Sequence, residues 1–512
     1  MAINILRLPN QISVVGDKEF CINGVTHCQL DDVVVDLSLN EETIAVSLKA
    51  DTSAVREVVL LWKDEAVGAS DVLGDHWERA YGDLEWKKKE EAGIMPWYFL
   101  DDRKEKCFAY GVKVRPSAMC WWEIKDNDVL LHLDVRCGGA GVVLAGRTLQ
   151  VAELLMKCYE TSAFEAGCLF CQEMCDDSVC KEEQIYGSNN WYYAYGKSSR
   201  EDILKDTAYL ASMTEGLSNR PFMVIDDGWQ VNHSDQYNGG PWRNSNADYG
   251  DMGQLATDMK KYNVRPGIWC RPLVDTSEDI PKEWRLQRDA IVLDISVPEV
   301  LEHIRGDICQ MADWGFELIK YDFSTADIFG RWGMEMGSEL TSGNWQFADT
   351  SRTTAELIIK FYETIYTANE NLIILGCNCI GHLGAGLMHL NRTGDDTSGI
   401  EWERTKKMGI NTLAFRMIQQ KGFYGADADC VGITGQIPWD KNEQWLKLLS
   451  VSGTPLFVSV KPGVLNNEQE NQLREAYKKA SYNKVIAEPL DWKEEKTPKT
   501  WKTFEGILNF EW

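Results

Sequence analysis

Long apolar runs are missing from this chain, and no stretch approaches the roughly 20 residues that a membrane-spanning helix needs. The opening residues, MAINILRLPNQISVVGDKEF, lack a basic start followed by a sustained apolar segment, so no secretory signal is expected and a cytoplasmic location is. Positive charge is also in short supply. Lys and Arg number 53 against 79 Asp and Glu, a net charge of −26. A field of that sign repels phosphate, which argues against nucleic-acid and membrane partners. Histidine is scarce: there are seven, none at metal-ligand spacing with the aspartates singled out below, so neither metal nor cofactor is expected. The 15 cysteines show no pairing order, as in a reducing compartment. Cys168, Cys171, Cys175 and Cys180 begin with a C-x-x-C, and four thiolates could close a zinc site, but no second C-x-x-C or neighbouring His completes one. They read as reduced structural cysteines. What remains is a soluble protein handling a neutral or cationic small molecule, with oligomerisation left open.

Tryptophan is abundant instead, with 20 in 512 residues. Most belong to core and interfaces, but Trp also supplies flat apolar surface on which sugar rings stack. The length predicts two or three domains. Residues 1–180 read as strands: REVVLLWKD, KCFAYGVKV, CWWEIK and DVLLHLDVRC are short, rich in β-branched and aromatic residues, and separated by turn-formers. Their spacing predicts an N-terminal β-sandwich without a catalytic constellation. From about 186 the rhythm changes to alternating strands and helices. Apolar runs at Tyr186–Tyr193, Phe222–Ile225, Val264–Trp269, Phe316–Tyr321, Leu372–Leu375, Leu387–Leu390, Phe423–Ala426 and Thr454–Val460 are joined by patterns such as REDILKDTAYLASM, AELIIKFYETIYTAN and WERTKKMGINTLAFRMIQQ. The first pattern follows Ser198 with Glu201 three residues on, a capping-box signature. Eight such units predict an α/β fold, a (β/α)8 TIM barrel over 181–481, followed by a short C-terminal β extension over 482–512.

Barrel enzymes place their sites at the C-terminal strand ends, so the residues after each run carry the argument. They are Asn189-Asn190-Trp191, Asp226-Asp227-Gly228-Trp229-Gln230, Trp269-Cys270-Arg271, Lys320-Tyr321-Asp322, Cys377-Asn378-Cys379, Arg392-Thr393-Gly394-Asp395-Asp396 and Asp427-Ala428-Asp429. An Asp-Gly pair is ordinary turn chemistry. Carboxylates at four strand ends, with Lys and Arg beside them, exceed what turns require, because burying that much charge is costly unless it is paired or bound to ligand. Glycoside hydrolysis needs two carboxyls, and surplus aspartates can hold sugar hydroxyls.

FMVIDDGWQ, IKYDFS and RTGDDTS, in this order on these strands, resemble glycoside hydrolase clan D, especially the family 36 α-galactosidases and raffinose synthases. LDISVPEV resembles the stretch before the nucleophile strand. The resemblance spans about 186–460 and implies a retaining hydrolase of terminal α-galactosides. It implies Asp322 as nucleophile, Asp395 as acid/base with Asp396 as its competitor, and Lys320 beside the nucleophile on the same strand face. Asp226 and Asp227 match the pair that binds O4 and O6 of galactose, Trp191 and Trp229 resemble pocket walls, and Arg392 and Cys379 resemble groups near O2 and O3. Arg392 is equally readable as a structural ion pair. The chain departs from the family at Trp269-Cys270-Arg271-Pro272 and at CNCIGHLGAG, and the usual C-terminal sandwich is almost absent. Galactosyl transfer and α-N-acetylgalactosaminidase activity are the alternatives, and a carbohydrate-binding barrel without catalysis is the non-enzyme one.

Overall fold

Alternating burial builds the first third of the chain. In Ile44–Lys49 the side chains of Ile44, Val46 and Leu48 point inward while their neighbours do not, the period of two that a half-buried strand requires. The computed structural model describes residues 2–512 apart from 25, 67 and 342. Two antiparallel sheets form here. One is centred on the long strand Thr148–Tyr159, flanked by Ile44–Lys49 and Cys107–Val112, and the other on Val55–Trp62, flanked by Gln11–Gly16 and Asp128–Asp134. Aromatic side chains join them: Phe99 and Tyr110 of the first sheet lie 5.8 and 6.1 Å, ring to ring, from Trp122 of the second. The expectation of strands up to residue 180 fails at Ala163–Met174, an α-helix capped by the Ser162 hydroxyl, which accepts from the Glu165 amide at 3.2 Å. Cys168 and Cys171 lie on that helix, and burial pushes both thiols up, Cys168 to about 12.

The rest of the chain is a mixed α/β region around a curled parallel sheet. Its strands are β1 (Tyr186–Asn189), β2 (Phe222–Ile225), β3 (Arg265–Cys270), β4 (Leu318–Tyr321), β5 (Ile373–Gly376), β6 (Leu390–Arg392), β7 (Gly425–Asp427), β8 (Cys430–Ile433) and β9 (Leu456–Val460). They are ordered β7-β6-β5-β4-β3-β2-β1-β9-β8, all pairs parallel. The two end strands, β7 and β8, are consecutive in the chain, with only Ala428 and Asp429 between them. Most of these strands are buried throughout, which is why they read as continuous apolar runs rather than alternations.

Local signals move by a residue or more. The run Tyr186–Tyr193 breaks because the Asn189 carboxamide accepts from the Trp191 amide at 2.8 Å, starting the short helix Trp191–Ala194. Leu387 and Met388 are apolar because the loop before β6 is buried, not because it is a strand. The capping box falls on Ser199 and Asp202, one residue beyond the expected pair, at the head of helix Arg200–Met213. The pattern predicted as one helix over 402–420 is instead a short α-helix, a π-helical turn at Lys406–Asn411, another α-helical turn and a 3-10 turn. Asn411 leaves the wide turn to bond the backbone of Leu84 in both directions, at 3.3 and 2.8 Å. The last residues add a three-stranded antiparallel sheet at Glu488–Pro489, Thr500–Thr503 and Gly506–Asn509. Among the described residues, no helix is long and apolar enough to cross a membrane.

Candidate active site

The C-terminal ends of the parallel strands open onto a cavity of about 290 Å³. Asp226, Asp227, Lys320, Asp322, Asp395 and Asp396 all line it, with Trp191, Trp269, Phe323, Trp332, Met334, Asn238, Asn378 and Arg79. These six residues therefore converge, as a ligand site requires, while the strand-end Asp427 and Asp429 do not line this cavity.

β2 delivers Asp226 and Asp227 and then turns sharply. Gly228 has φ +113, and a Cβ there would collide with the Gly196 carbonyl. The Asp226 amide donates to Asn190 Oδ1 at 2.8 Å, while its carboxylate accepts from Lys320 Nζ at 2.7 Å and from Asn189 Nδ2 at 2.6 Å. Burial works most strongly against the Lys320 charge, but Asp226, with Cys377 and Asp322 adding, together outweigh it and hold the ammonium well above its usual range. Asp227 accepts from Gln230 Nε2 at 2.7 Å and lies 3.3 Å from His233 Nδ1, which it pushes up. His233 belongs to none of the motifs read from the sequence.

Asp322 follows β4. Its Oδ1 accepts from the Phe323 amide at 2.6 Å and from Asn378 Nδ2, and its Oδ2 accepts from the Trp269 indole at 3.0 Å. Phe323 and Asn378, which supply two of these donors, both adopt the left-handed region, at φ +64 and φ +53. Non-glycine residues held there carry strain of about 1–3 kcal/mol, a mark of sites where geometry is over-determined.

Asp395 and Asp396 differ sharply. Both oxygens of Asp395 are engaged, Oδ1 by Arg79 and Oδ2 by Arg404, each at 3.0 Å. Asp396 gives Oδ1 to Arg392 at 3.2 Å, and its Oδ2 makes no hydrogen bond among the described residues.

Three residues expected at the sugar stand behind the wall. Trp229 is fully buried in a cluster with Trp242 and Trp314, and its indole donates to the Trp269 carbonyl at 2.8 Å, so it props the tryptophan that touches Asp322. Arg392 is buried as an ion pair, 2.9 Å from Asp429, the alternative its sequence context allowed. Cys379 faces inward, its thiol 3.1 Å from the Cys377 carbonyl. Conversely, Arg79 reaches the cavity from the N-terminal region, where no site residue was expected. Nothing in its sequence surroundings marks it. Asn378 and Trp269 lay inside strand-end runs and were legible by position, though not by type.

Below the cavity, Asp427 shares a void of about 20 Å³ with Lys320, Arg392 and Asp429. Burial pushes its carboxyl up to about 6, with Arg392 and Lys320 opposing and Asp429 adding. Unfolded, the same group titrates near 3.9, so from about pH 4 to 6 the folded protein keeps a proton that the unfolded chain releases. This contribution is complete below that window and is lost as pH rises through about 6. Asp427→Asn, which cannot ionise, should be stabilised over the wild type at pH 7.5 by on the order of 2 kcal/mol, and hardly at all at pH 4. Melting curves at the two pH values decide it, and an equal shift at both would refute the buried titration.

No family model matches the chain, and no curated protein does. Solved structures do. The α-galactosidase TtGalA from Thermus thermophilus, in complex with p-nitrophenyl α-D-galactopyranoside, superposes with a TM-score of 0.62 at 15% identity, over 95% of this chain and 99% of that one. A variant of the glycoside hydrolase family 36 α-galactosidase AgaA from Geobacillus stearothermophilus, in complex with stachyose, gives 0.62 at 14%, over 92% and 71%. The α-galactosidase from Lactobacillus brevis gives 0.58 at 14%, over 98% and 74%. The chain has the fold of these α-galactosidases. At such identities the likeness is one of fold, and the chemistry must be argued from the residues in the cavity.

Proposed function

We propose that this protein is a retaining glycoside hydrolase that removes terminal α-galactosyl residues from oligosaccharides or glycoconjugates. The observation that carries the reading is the single cavity in which Asp322, the Asp226–Lys320 pair, Asp227 and the Asp395–Asp396 pair converge. On this reading the parallel strands form a closed (β/α)8 barrel over 181–481, with β7 and β8 as one interrupted strand. The antiparallel sheets form a sandwich domain over 1–180, and 482–512 is a C-terminal extension.

Asp322 is the nucleophile. Three donors fix its carboxylate, and it attacks the anomeric carbon to form a covalent glycosyl-enzyme. Asp226, Asp227 and Lys320 hold ring hydroxyls through charge-assisted hydrogen bonds, and Trp191 and Trp269 supply apolar wall. The geometry favours Asp396 over Asp395 as acid/base. A proton donor needs an oxygen free to meet the glycosidic oxygen. Asp395 has both oxygens committed to guanidinium groups, while Asp396 keeps Oδ2 free at the cavity.

A panel of p-nitrophenyl glycosides, with proton NMR of the first-formed sugar, tests the whole reading. The expected result is turnover of the α-galactoside well above the α-glucoside, with α-galactose appearing before mutarotation. β-Galactose appearing first would mean inversion, and equal turnover of the two sugars would remove the assignment of Asp226 and Asp227 to axial O4.

A further inference from the structure

The strand Asp71–Gly74 of the N-terminal sheets is followed by a segment that leaves its own domain and docks on the catalytic face. The amide of Ala80 donates to the Thr393 carbonyl at 2.9 Å, and the amide of Asp395 donates to the Ala80 carbonyl at 3.0 Å, a parallel bridge of strand type. Arg416 cross-links the same two segments, donating to the Thr393 carbonyl at 3.0 Å and to the Glu78 carbonyl, while it pairs with Asp75 at 2.8 Å. From the other side the π-helical turn closes in: a Cβ on Gly394 would collide with the Met408 carbonyl. The Thr393–Asp395 backbone is thus clamped between two elements that belong to neither β6 nor β7.

Arg79 is the charged tooth of this clamp. Its side chain is 6% exposed and lies with its guanidinium 4.6 Å from the Trp332 ring centroid. It reaches Asp395 at 3.0 Å, but among the described residues Nε and Nη1 have no hydrogen-bond partner, and the next carboxylate, Glu78, is 3.9 Å away. A buried cation with two unsatisfied donors is a costly arrangement for stability alone.

We propose that Arg79 is a positioning residue for the proton-transfer step: by anchoring Asp395 it aims the adjoining Asp396 at the glycosidic oxygen. The inference rests on the proposed hydrolysis. In the first step the proton passes from Asp396 to the glycosidic oxygen as its bond to C1 breaks and Asp322 bonds to C1. A mis-aimed acid slows departure of alcohols and poorly acidic phenols, which must leave protonated, far more than departure of dinitrophenolate, which leaves as the anion. A purely structural fault slows all of them alike.

The test measures kcat/KM for Arg79→Met, Arg79→Lys and Arg404→Met over aryl α-galactosides from phenyl to dinitrophenyl. General acid catalysis contributes about 10²–10⁴-fold. Arg79→Met should therefore lose at least about tenfold more on the phenyl than on the dinitrophenyl galactoside. Arg79→Lys, which keeps the cation, should narrow that gap, and Arg404→Met should widen it less than Arg79→Met does. Arg404 is 39% exposed, so its variant carries the test should Arg79→Met fail to fold. A uniform loss across the series, or an unchanged gap in a variant that melts like the wild type, overturns the inference while the hydrolysis stands. A wild type inactive on dinitrophenyl α-galactoside overturns both.

Discussion

Asp322→Ala is expected to lose about 10⁴-fold or more in turnover on every α-galactoside, however good the leaving group. On the proposed mechanism the loss is independent of the leaving group, because the carboxylate itself would form the bond to C1 and no proton supplied elsewhere replaces it. The substitution also strands donors. Asn378 Nδ2, the Trp269 indole and the Phe323 amide all point at the missing oxygens, and an unsatisfied buried donor costs about 1–3 kcal/mol. Melting must therefore accompany the kinetics. Asp322→Asn is the control, since its carboxamide keeps one acceptor and nearly the same volume, and it should be equally inactive at smaller cost in stability. A slow fluorinated galactoside should add one glycosyl mass to the wild-type peptide carrying Asp322 and none to either variant. Retention of a tenth of wild-type activity by a folded Asp322→Ala would remove Asp322 from the nucleophile role.

The sequence made legible whatever depends on neighbours along the chain. Buried parallel strands appear as apolar runs, and the residue that follows such a run lies at the open end of the sheet. That is why Asp226, Asp227 and Asp322 are legible in the sequence, with Lys320 inside its run two residues before Asp322. The capping box was visible as a type of signal and misplaced by one position, because Ser198 and Ser199 are adjacent and both Glu201 and Asp202 satisfy the pattern. Trp229 shows the limit of motif reading. It sits in DDGWQ, but the Gly228 turn sends its ring into the Trp242–Trp314 cluster, and only packing reveals that its contact is with Trp269. Arg79 was illegible for a deeper reason: it lies 316 positions before the carboxylate it pairs with, in a segment whose composition is that of an ordinary strand connection. The N-terminal region was expected to hold no catalytic constellation of its own; what it supplies to the cavity is a single side chain, Arg79.

The choice between the two adjacent aspartates has a decisive chemical signature. Asp396→Ala should still be glycosylated by dinitrophenyl α-galactoside, whose leaving group needs no proton, but water must then attack the glycosyl-enzyme without a general base. The intermediate should accumulate, giving a burst followed by slow turnover. Azide, an anion that needs no base, should raise that turnover and yield the α-galactosyl azide, because attack on a β-linked glycosyl-enzyme inverts the anomeric centre. Asp395→Ala should behave differently. It removes the shared partner of Arg79 and Arg404, leaving a buried guanidinium whose nearest carboxylate among the described residues is Glu78 at 3.9 Å. Truncating one side of such a pair costs about 3–5 kcal/mol. The Asp395 variant should therefore be the less stable of the two, with slowed hydrolysis of unactivated substrates, no burst and no azide rescue. Asp395→Asn, which retains one acceptor for Arg79, should recover part of the lost stability. If azide instead rescues Asp395→Ala and leaves Asp396→Ala unaffected, the acid/base is Asp395 after all. The two guanidinium groups would then be its direct partners in the transition state rather than the frame that aims its neighbour.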